Sequence, residues 1–216
     1  MTVIFVVSTI IIFLSIDWLV RRLRAHPVQA PVRRASRIRT PDGIFFSKSH
    51  TWVSLFPSGK IRIGVDDFIT RLLSKPEIIF MKRTGDIVEK GDPLIRLKEG
   101  GHTLTVRAPV SGTVLAANEA LSSDPGLLKD RLFSDGWTYI VRPRSAGEVK
   151  ELFVGSETRV WMHKELQRLR DLFAIGLSGD AVPAFMQDGG MPAEGALDAM
   201  DDAMWQQVDH EFLDCQ

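Results

Sequence analysis

The sequence predicts a mainly β domain carried between an apolar N-terminal segment and amphipathic C-terminal helices. Three observations lead there. Lys60-Ile61-Arg62-Ile63-Gly64-Val65 and Thr103-Leu104-Thr105-Val106-Arg107 alternate apolar with polar or small residues, the period of half-buried strands. Turn residues stand before both runs, Pro57-Ser58-Gly59 before the first and Gly100-Gly101 before the second, where glycine supplies positive φ without steric cost. Beyond residue 156 the apolar period becomes helical.

The 216 residues, 44% hydrophobic and 25% charged, suit a folded domain of roughly 100 residues with attachments. Net charge is zero but unevenly placed. Between Arg21 and Arg39 there are seven arginines and no acid, and from Gly176 to the end nine acids and no Lys or Arg. That polarity predicts two differently charged contacts, one at each end. The single cysteine, Cys215, has no internal disulfide partner and lacks the frame of a prenylation signal, which is compatible with a reducing compartment.

Residues 1–24 read as a transmembrane anchor. From Val3 to Val20 the chain is apolar except for Ser8, Thr9, Ser15 and Asp17, and at about 1.5 Å per residue this run approaches the hydrocarbon thickness. A cleaved signal peptide would carry its positive charges before the apolar run. Here Arg21, Arg22 and Arg24 follow it, so the positive-inside rule predicts a single-pass protein of the inner cell membrane, its N-terminus outside and its domain cytoplasmic. Residues 25–43 read as a basic linker. Pro27, Pro31 and Pro41 interrupt helix formation, and Arg33, Arg34, Arg37 and Arg39 would face anionic lipid headgroups. No aromatic residue is interleaved with these arginines to stack on bases, so no nucleic acid is expected as a partner.

Several runs between residues 44 and 143 occur in the order of a known family. They are Ser47-Lys48-Ser49-His50-Thr51-Trp52-Val53, Ile63-Gly64-Val65-Asp66-Asp67-Phe68 leading into a short helix at Phe68–Leu73, and Gly85-Asp86-Ile87-Val88-Glu89-Lys90-Gly91-Asp92. Ala108-Pro109-Val110-Ser111-Gly112-Thr113-Val114, Asn118-Glu119-Ala120-Leu121 and Asp135-Gly136-Trp137 complete the set. This stretch resembles the glycine cleavage system H-protein, of the lipoyl/biotinyl-carrier-like single hybrid motif class. The resemblance implies a mainly β barrel-sandwich hybrid at 44–143, and a lipoylated lysine at the tip of a tight hairpin. Counted back from Ala108-Pro109, the position of that lysine is Gly101, preceded by Lys98, Glu99 and Gly100. The tip therefore has no amine and no lipoate is expected on it. Lys98, three residues upstream, is the secondary candidate for attachment. The family's Asp-Pro-aromatic-Gly turn is replaced by Arg131-Leu132-Phe133-Ser134.

Neither a catalytic nor a metal-binding residue set is expected. His50, His102 and His163 are far apart, no cysteine lies near them, and no paired-ligand spacing organises a metal. His50 reads as a packing and hydrogen-bonding residue, and His102 as an exposed residue of the tip. In the helical extension 144–216, Met162, Leu166, Leu169 and Phe173, widened by Trp161 and Leu172, form a stripe on a helix of residues 156–174 that Gly176 ends. Leu197, Met200, Met204, Val208 and Phe212 recur at helical spacing beside Trp205, with acids on the remaining surface. That second stripe either covers the chain's own sheet or enters a groove on another subunit. Gly100, Gly101, His102, Met200, Met204, Trp205, Val208 and Phe212 are accordingly the candidate protein-partner residues. The expected function is a membrane-anchored, non-lipoylated, non-catalytic scaffold subunit. The alternatives are a glycine-cleavage-type lipoyl carrier with attachment displaced to Lys98, and a periplasmic adaptor of membrane-fusion type. The last is disfavoured by the missing long helical hairpin and by the arginine asymmetry.

Overall fold

The two alternating runs become strands of two different sheets. The computed structural model describes residues 38–176, 186–187 and 191–214. Among these, the chain runs β1 (Phe45–Phe46), β2 (Thr51–Leu55), β3 (Ile61–Val65), α1 (Asp67–Leu72), β4 (Glu77–Phe80), β5 (Ile87–Val88), β6 (Pro93–Glu99), β7 (His102–Arg107) and β8 (Gly112–Ala117). Two short helices follow, α2 (Ala120–Ser123) and α3 (Leu127–Asp130), then β9 (Trp137–Pro143), α4 (Ala146–Lys150), β10 (Phe153–Val154) and α5 (Ser156–Gly176). The C-terminal part holds β11 (Met186–Gln187), β12 (Met191–Pro192), a 3-10 turn (Ala196–Ala199), α6 (Asp202–Val208) and a π-helical turn (Asp209–Leu213).

One sheet has the order β10-β1-β2-β3-β9-β8-β5, and a second has the order β4-β6-β7. The buried sides of the alternating strands supply the core: Ile61, Ile63, Val65 and Val141 from the larger sheet, Ile95, Leu97, Leu104 and Val106 from the smaller. Tyr139 of β9 ties the two together. Its ring meets Phe80 of β4 edge-on at 5.4 Å, and its hydroxyl accepts from the Lys82 N–H and points at the carbonyls of Lys82 and Leu94, 3.0 and 3.1 Å away. Burial pushes this phenol up from its ordinary pKa. Trp52 of β2 is fully buried over Gly64 of β3, where a Cβ would collide with the indole. The sequence Ile63-Gly64-Val65 is thus a strand whose glycine makes room for an aromatic ring, with a register shift between Ile63 and Gly64.

The mainly β fold expected from the sequence is present. Three expectations around it need correction or placement. The anchor proposed at 1–24 and most of the linker at 25–43 lie outside the described residues; among the described residues no helix is long and apolar enough to cross a membrane. Arg39, expected to face lipid headgroups, instead binds Asp67 on the first turn of α1. Its Nε and Nη2 donate to one carboxylate oxygen at 3.0 and 2.7 Å, and its backbone N–H to the other at 2.9 Å. The described residues beyond 143 pack on the domain, for β10 pairs with β1 (Phe45↔Val154, Phe46↔Phe153) and Phe212 stands 5.2 Å from Phe68 of α1.

Where strands, α1, α5 and the π-helical turn meet lies His50, fully buried, with a positive φ of 55°. Its Nδ1 is 2.8 Å from Asp66 Oδ2. The other oxygen of Asp66 caps α1, accepting from the Phe68 and Ile69 N–H groups at 3.0 and 3.1 Å. Phe68 stacks on the imidazole at 4.3 Å, and Trp161 of α5 and Phe212 of the π-helical turn stand 5.1 and 5.9 Å away. Glu165 of α5 faces Nε2 at 3.9 Å, an ion pair too long for a hydrogen bond, so Nε2 itself has no hydrogen-bond partner. Arg168 binds Glu165 at 2.7 Å and Glu211 at 3.0 Å. Protonated His50 and Arg168 therefore alternate with three carboxylates across four segments.

Burial alone would depress the pKa of His50, but the Asp66 carboxylate and then Glu165 outweigh it and raise the value to about 9. The folded state therefore holds a proton that the unfolded chain, with an ordinary value near 6.5, releases earlier. The resulting stability is fully present below pH 6.5 and is lost as pH rises through 9. We expect the urea midpoint of the protein to fall over that window and the fall to flatten in His50→Gln. A wild-type midpoint independent of pH there would contradict a charged, buried His50.

Candidate functional site

The tip of the β6–β7 hairpin is built by register. Lys98 pairs with Thr103 and Glu99 with His102, leaving Gly100-Gly101 as a two-residue turn with φ of 58° and 92°. Positive φ at both central residues gives the turn whose twist matches that of the flanking strands, and it suits glycine at each. A Cβ on Gly101 would meet nothing within 4 Å, yet the backbone angle disfavours any L side chain there, a strain of roughly 1–3 kcal/mol. The position that the family resemblance assigns to the carrier lysine is therefore open in space and closed by backbone conformation.

Lys98 lies on the outer face of the smaller sheet with Arg96, two residues before it, and both are exposed, whereas Leu97 between them is fully buried. Its cross-strand neighbours are Glu77 and Thr103. The tip itself is tied down from the side. Glu99 accepts from the backbone N–H groups of Ser74, at 3.0 Å, and Lys75, in the segment that follows α1.

His102 is half-buried, not the exposed residue expected from the sequence. Trp205 of α6 stacks on it at 5.0 Å with the rings 14° apart, and Asp202 lies 2.9 Å from its Nδ1. Further along β7, the Thr105 N–H donates to Asp209 at 2.6 Å and Arg107 pairs with Asp214 at 2.8 Å. Burial is the main force raising the pKa of Asp209, partly offset by the Thr105 N–H. β7 is an edge strand of its sheet, and an edge with free N–H groups invites pairing with another chain. The C-terminal segment covers it.

The apolar stripe offered to a partner is therefore buried in the chain's own fold. Met200, Met204, Trp205, Val208 and Phe212 are all below one-tenth exposed, together with Leu197 and Leu213. Trp205 Nε1 donates to the Leu197 carbonyl at 2.9 Å, and Phe212 packs 5.2 Å from Phe68. The stripe is not one helix. At Met200 the backbone turns extended (ψ 154°), and Asp201 restarts the helix by accepting from Met204 N–H at 2.9 Å. Of the eight candidate partner residues, only Gly100 and Gly101 remain exposed. Two further groups lacked a sequence signature: the Glu99 clamp and the acids on β7. Asp66 did carry one, an Asp placed directly before an apolar helical run.

Magnitudes identify what holds the cover in place. Exposed ion pairs such as Asp202–His102, in which the aspartate is 84% exposed, contribute about 0–1 kcal/mol each. A buried Met, Val or Phe contributes about 1.5–3 kcal/mol. The apolar stripe therefore supplies most of the attachment and the acids supply its register. Trp205→Ala is expected to lower the unfolding free energy by about 3 kcal/mol or more, and removal of residues 193–216 to lower the melting temperature of the whole domain. A truncated protein melting as the full chain does would mean that the segment is not part of the core.

The family profile carries the assignment to a family, and individual relatives and a solved structure show what the chain is similar to. The glycine cleavage H-protein family profile matches residues 44–165. The chain is 29% identical over 125 residues to the glycine cleavage system H protein of Halalkalibacterium halodurans, covering 58% of this chain and 97% of that one. It is 30% identical over 112 residues to the probable glycine cleavage system H protein of Pyrococcus furiosus, covering 51% and 83%. A crystal structure of a glycine cleavage system H protein from Mycobacterium marinum aligns with a TM-score of 0.48 and 24% identity over 54% of this chain and 94% of that one. With more than half of its length matched by the family profile, the chain belongs to the glycine cleavage H-protein family.

Proposed function

We propose that this protein is a non-catalytic H-protein-family subunit that keeps the carrier fold without a cofactor at the tip, and that it serves as a membrane-tethered scaffold. The observation that carries this reading is the Gly100-Gly101 turn, which has no amine and a backbone that disfavours one. The C-terminal cover supports it, because Trp205 and Asp202 hold the residue next to the tip. With the cover folded inward, the exposed face of the smaller sheet around the tip is, among the described residues, a surface open to a partner.

A second reading has its own support. The relatives are named glycine cleavage system H proteins, and Lys98 is an exposed amine on the hairpin. A carrier with lipoate displaced to Lys98 would place the arm on the sheet face instead of the turn. Intact-mass spectrometry of the protein from its native source separates the two. The scaffold reading expects the unmodified mass in both wild type and Lys98→Ala. A lipoyl increment that disappears in Lys98→Ala would establish the carrier.

The tether rests on the apolar run at 3–20 followed by Arg21, Arg22 and Arg24. A reporter fused after Gln216 is expected to be active only in the cytoplasm. Activity on the outer side would overturn the orientation and favour an adaptor outside the membrane.

A further inference from the structure

On the side of the domain where Arg107 ends β7, a cleft of about 390 Å³ opens between the Ser47–Ser49 loop, the Lys90-Gly91 turn and the Glu151–Phe153 segment. Its charged lining is Lys48, Lys90 and Arg107 against one carboxylate, Glu151. Lys90 holds that carboxylate at 2.7 Å, and this pair lowers the Glu151 pKa. Lys48 is exposed and, among the described residues, pairs with no carboxylate. Arg107 donates to the Gly91 carbonyl at 3.2 Å and pairs with Asp214 at 2.8 Å, while its Nε is buried without a hydrogen-bond partner. The hydroxyls of Ser47 and Ser49 bond to each other at 3.0 Å, so the attraction for a ligand comes from the cations. Pro109, Leu152 and Phe153 form the apolar wall.

We propose that this cleft binds a small organic anion. Its acid group, a carboxylate or a phosphate monoester, sits between Lys48 and Arg107, and its apolar body lies against Phe153, Leu152 and Pro109. Asp214 already shows the chemistry that Arg107 accepts: a carboxylate from the chain's own C-terminal segment occupies one edge of the guanidinium. An arginine presents several donors in a fixed fork suited to planar oxyanions. The apolar wall selects an organic acid over a bare ion, because burying its body adds to the affinity in proportion to the area covered. This site is independent of whether the hairpin tip carries a cofactor.

The test is titration of the intact protein, in micelles of an uncharged detergent at fixed ionic strength, with phenyl phosphate, benzoate and inorganic phosphate, followed by calorimetry. Saturable binding of phenyl phosphate or benzoate, tighter than that of inorganic phosphate, is expected, and the tighter of the two identifies the acid. Lys48→Gln and Arg107→Gln should each weaken binding about tenfold, the loss of one charge-assisted contact. Asp214→Asn should strengthen it by relieving competition for Arg107. Lys48 is exposed, so its substitution tests the site without disturbing the core even if Arg107→Gln unfolds. Absence of saturable binding by any of the three probes, or binding unchanged in Lys48→Gln, would overturn the proposal.

Discussion

The buried pair His50–Asp66 is the constraint on which the arrangement depends. Asp66 has two obligations, capping α1 with one oxygen and holding the imidazole with the other. His50 in turn supports an aromatic cluster from three other segments, Phe68, Trp161 and Phe212. An unpaired charge at this depth would be prohibitively costly, and a pair left half-made costs several kcal/mol. The fold answers by bringing Glu165 of α5 to the far side of the imidazole, where Arg168 holds it and also takes Glu211 of the C-terminal segment. The His50–Asp66 pair thus gives α5 and the last described residues a shared buried contact, beside the apolar stripe that supplies most of the attachment.

The hairpin tip follows a different logic. A swinging cofactor needs an exposed amine on a turn free of neighbours, and this turn is neither aminated nor isolated. Glu99 anchors it on one side and Trp205 stacks beside it on the other. Each device suits a hairpin held still. The positive φ at both glycines also means that a lysine introduced at Gly101 would strain the turn.

Much of the fold was legible because it is local. Alternation placed β3 and β7, the paired glycines placed the hairpin, and the stripe from Trp161 to Phe173 placed α5, each within a few residues of its observed bounds. The candidate site was legible only in part. The Gly100-Gly101 turn and the place of Lys98 on the rising strand could be read directly, whereas the partners of His102, Thr105 and Arg107 lie about a hundred residues away in the chain. Nothing in the spacing of Asp202, Asp209 and Asp214 says which strand edge they meet. Apolar periodicity likewise shows that a helix has one buried face without showing what buries it, and it runs unbroken through Met200, where the backbone does not continue as a helix.

Charge asymmetry misled for a related reason. A chain with an acidic end reads as offering that end to a cationic partner, but an intramolecular partner has the same composition signature. Here every acid between residues 191 and 214 has a counterpart within the fold. Glu194 meets Lys129, Asp198 meets Ser74, and Asp201 caps α6. Asp202, Asp209 and Asp214 run along β7 from the tip to the base, and Glu211 reaches α5. These contacts are individually weak and collectively directional. They set the line on which the apolar stripe settles, so the acidic residues act as the register of a cover whose attachment comes from Leu197, Met204, Trp205, Val208 and Phe212. Among the described residues the stripe is therefore already in use within the fold, and its burial leaves it no free face to offer to a second chain.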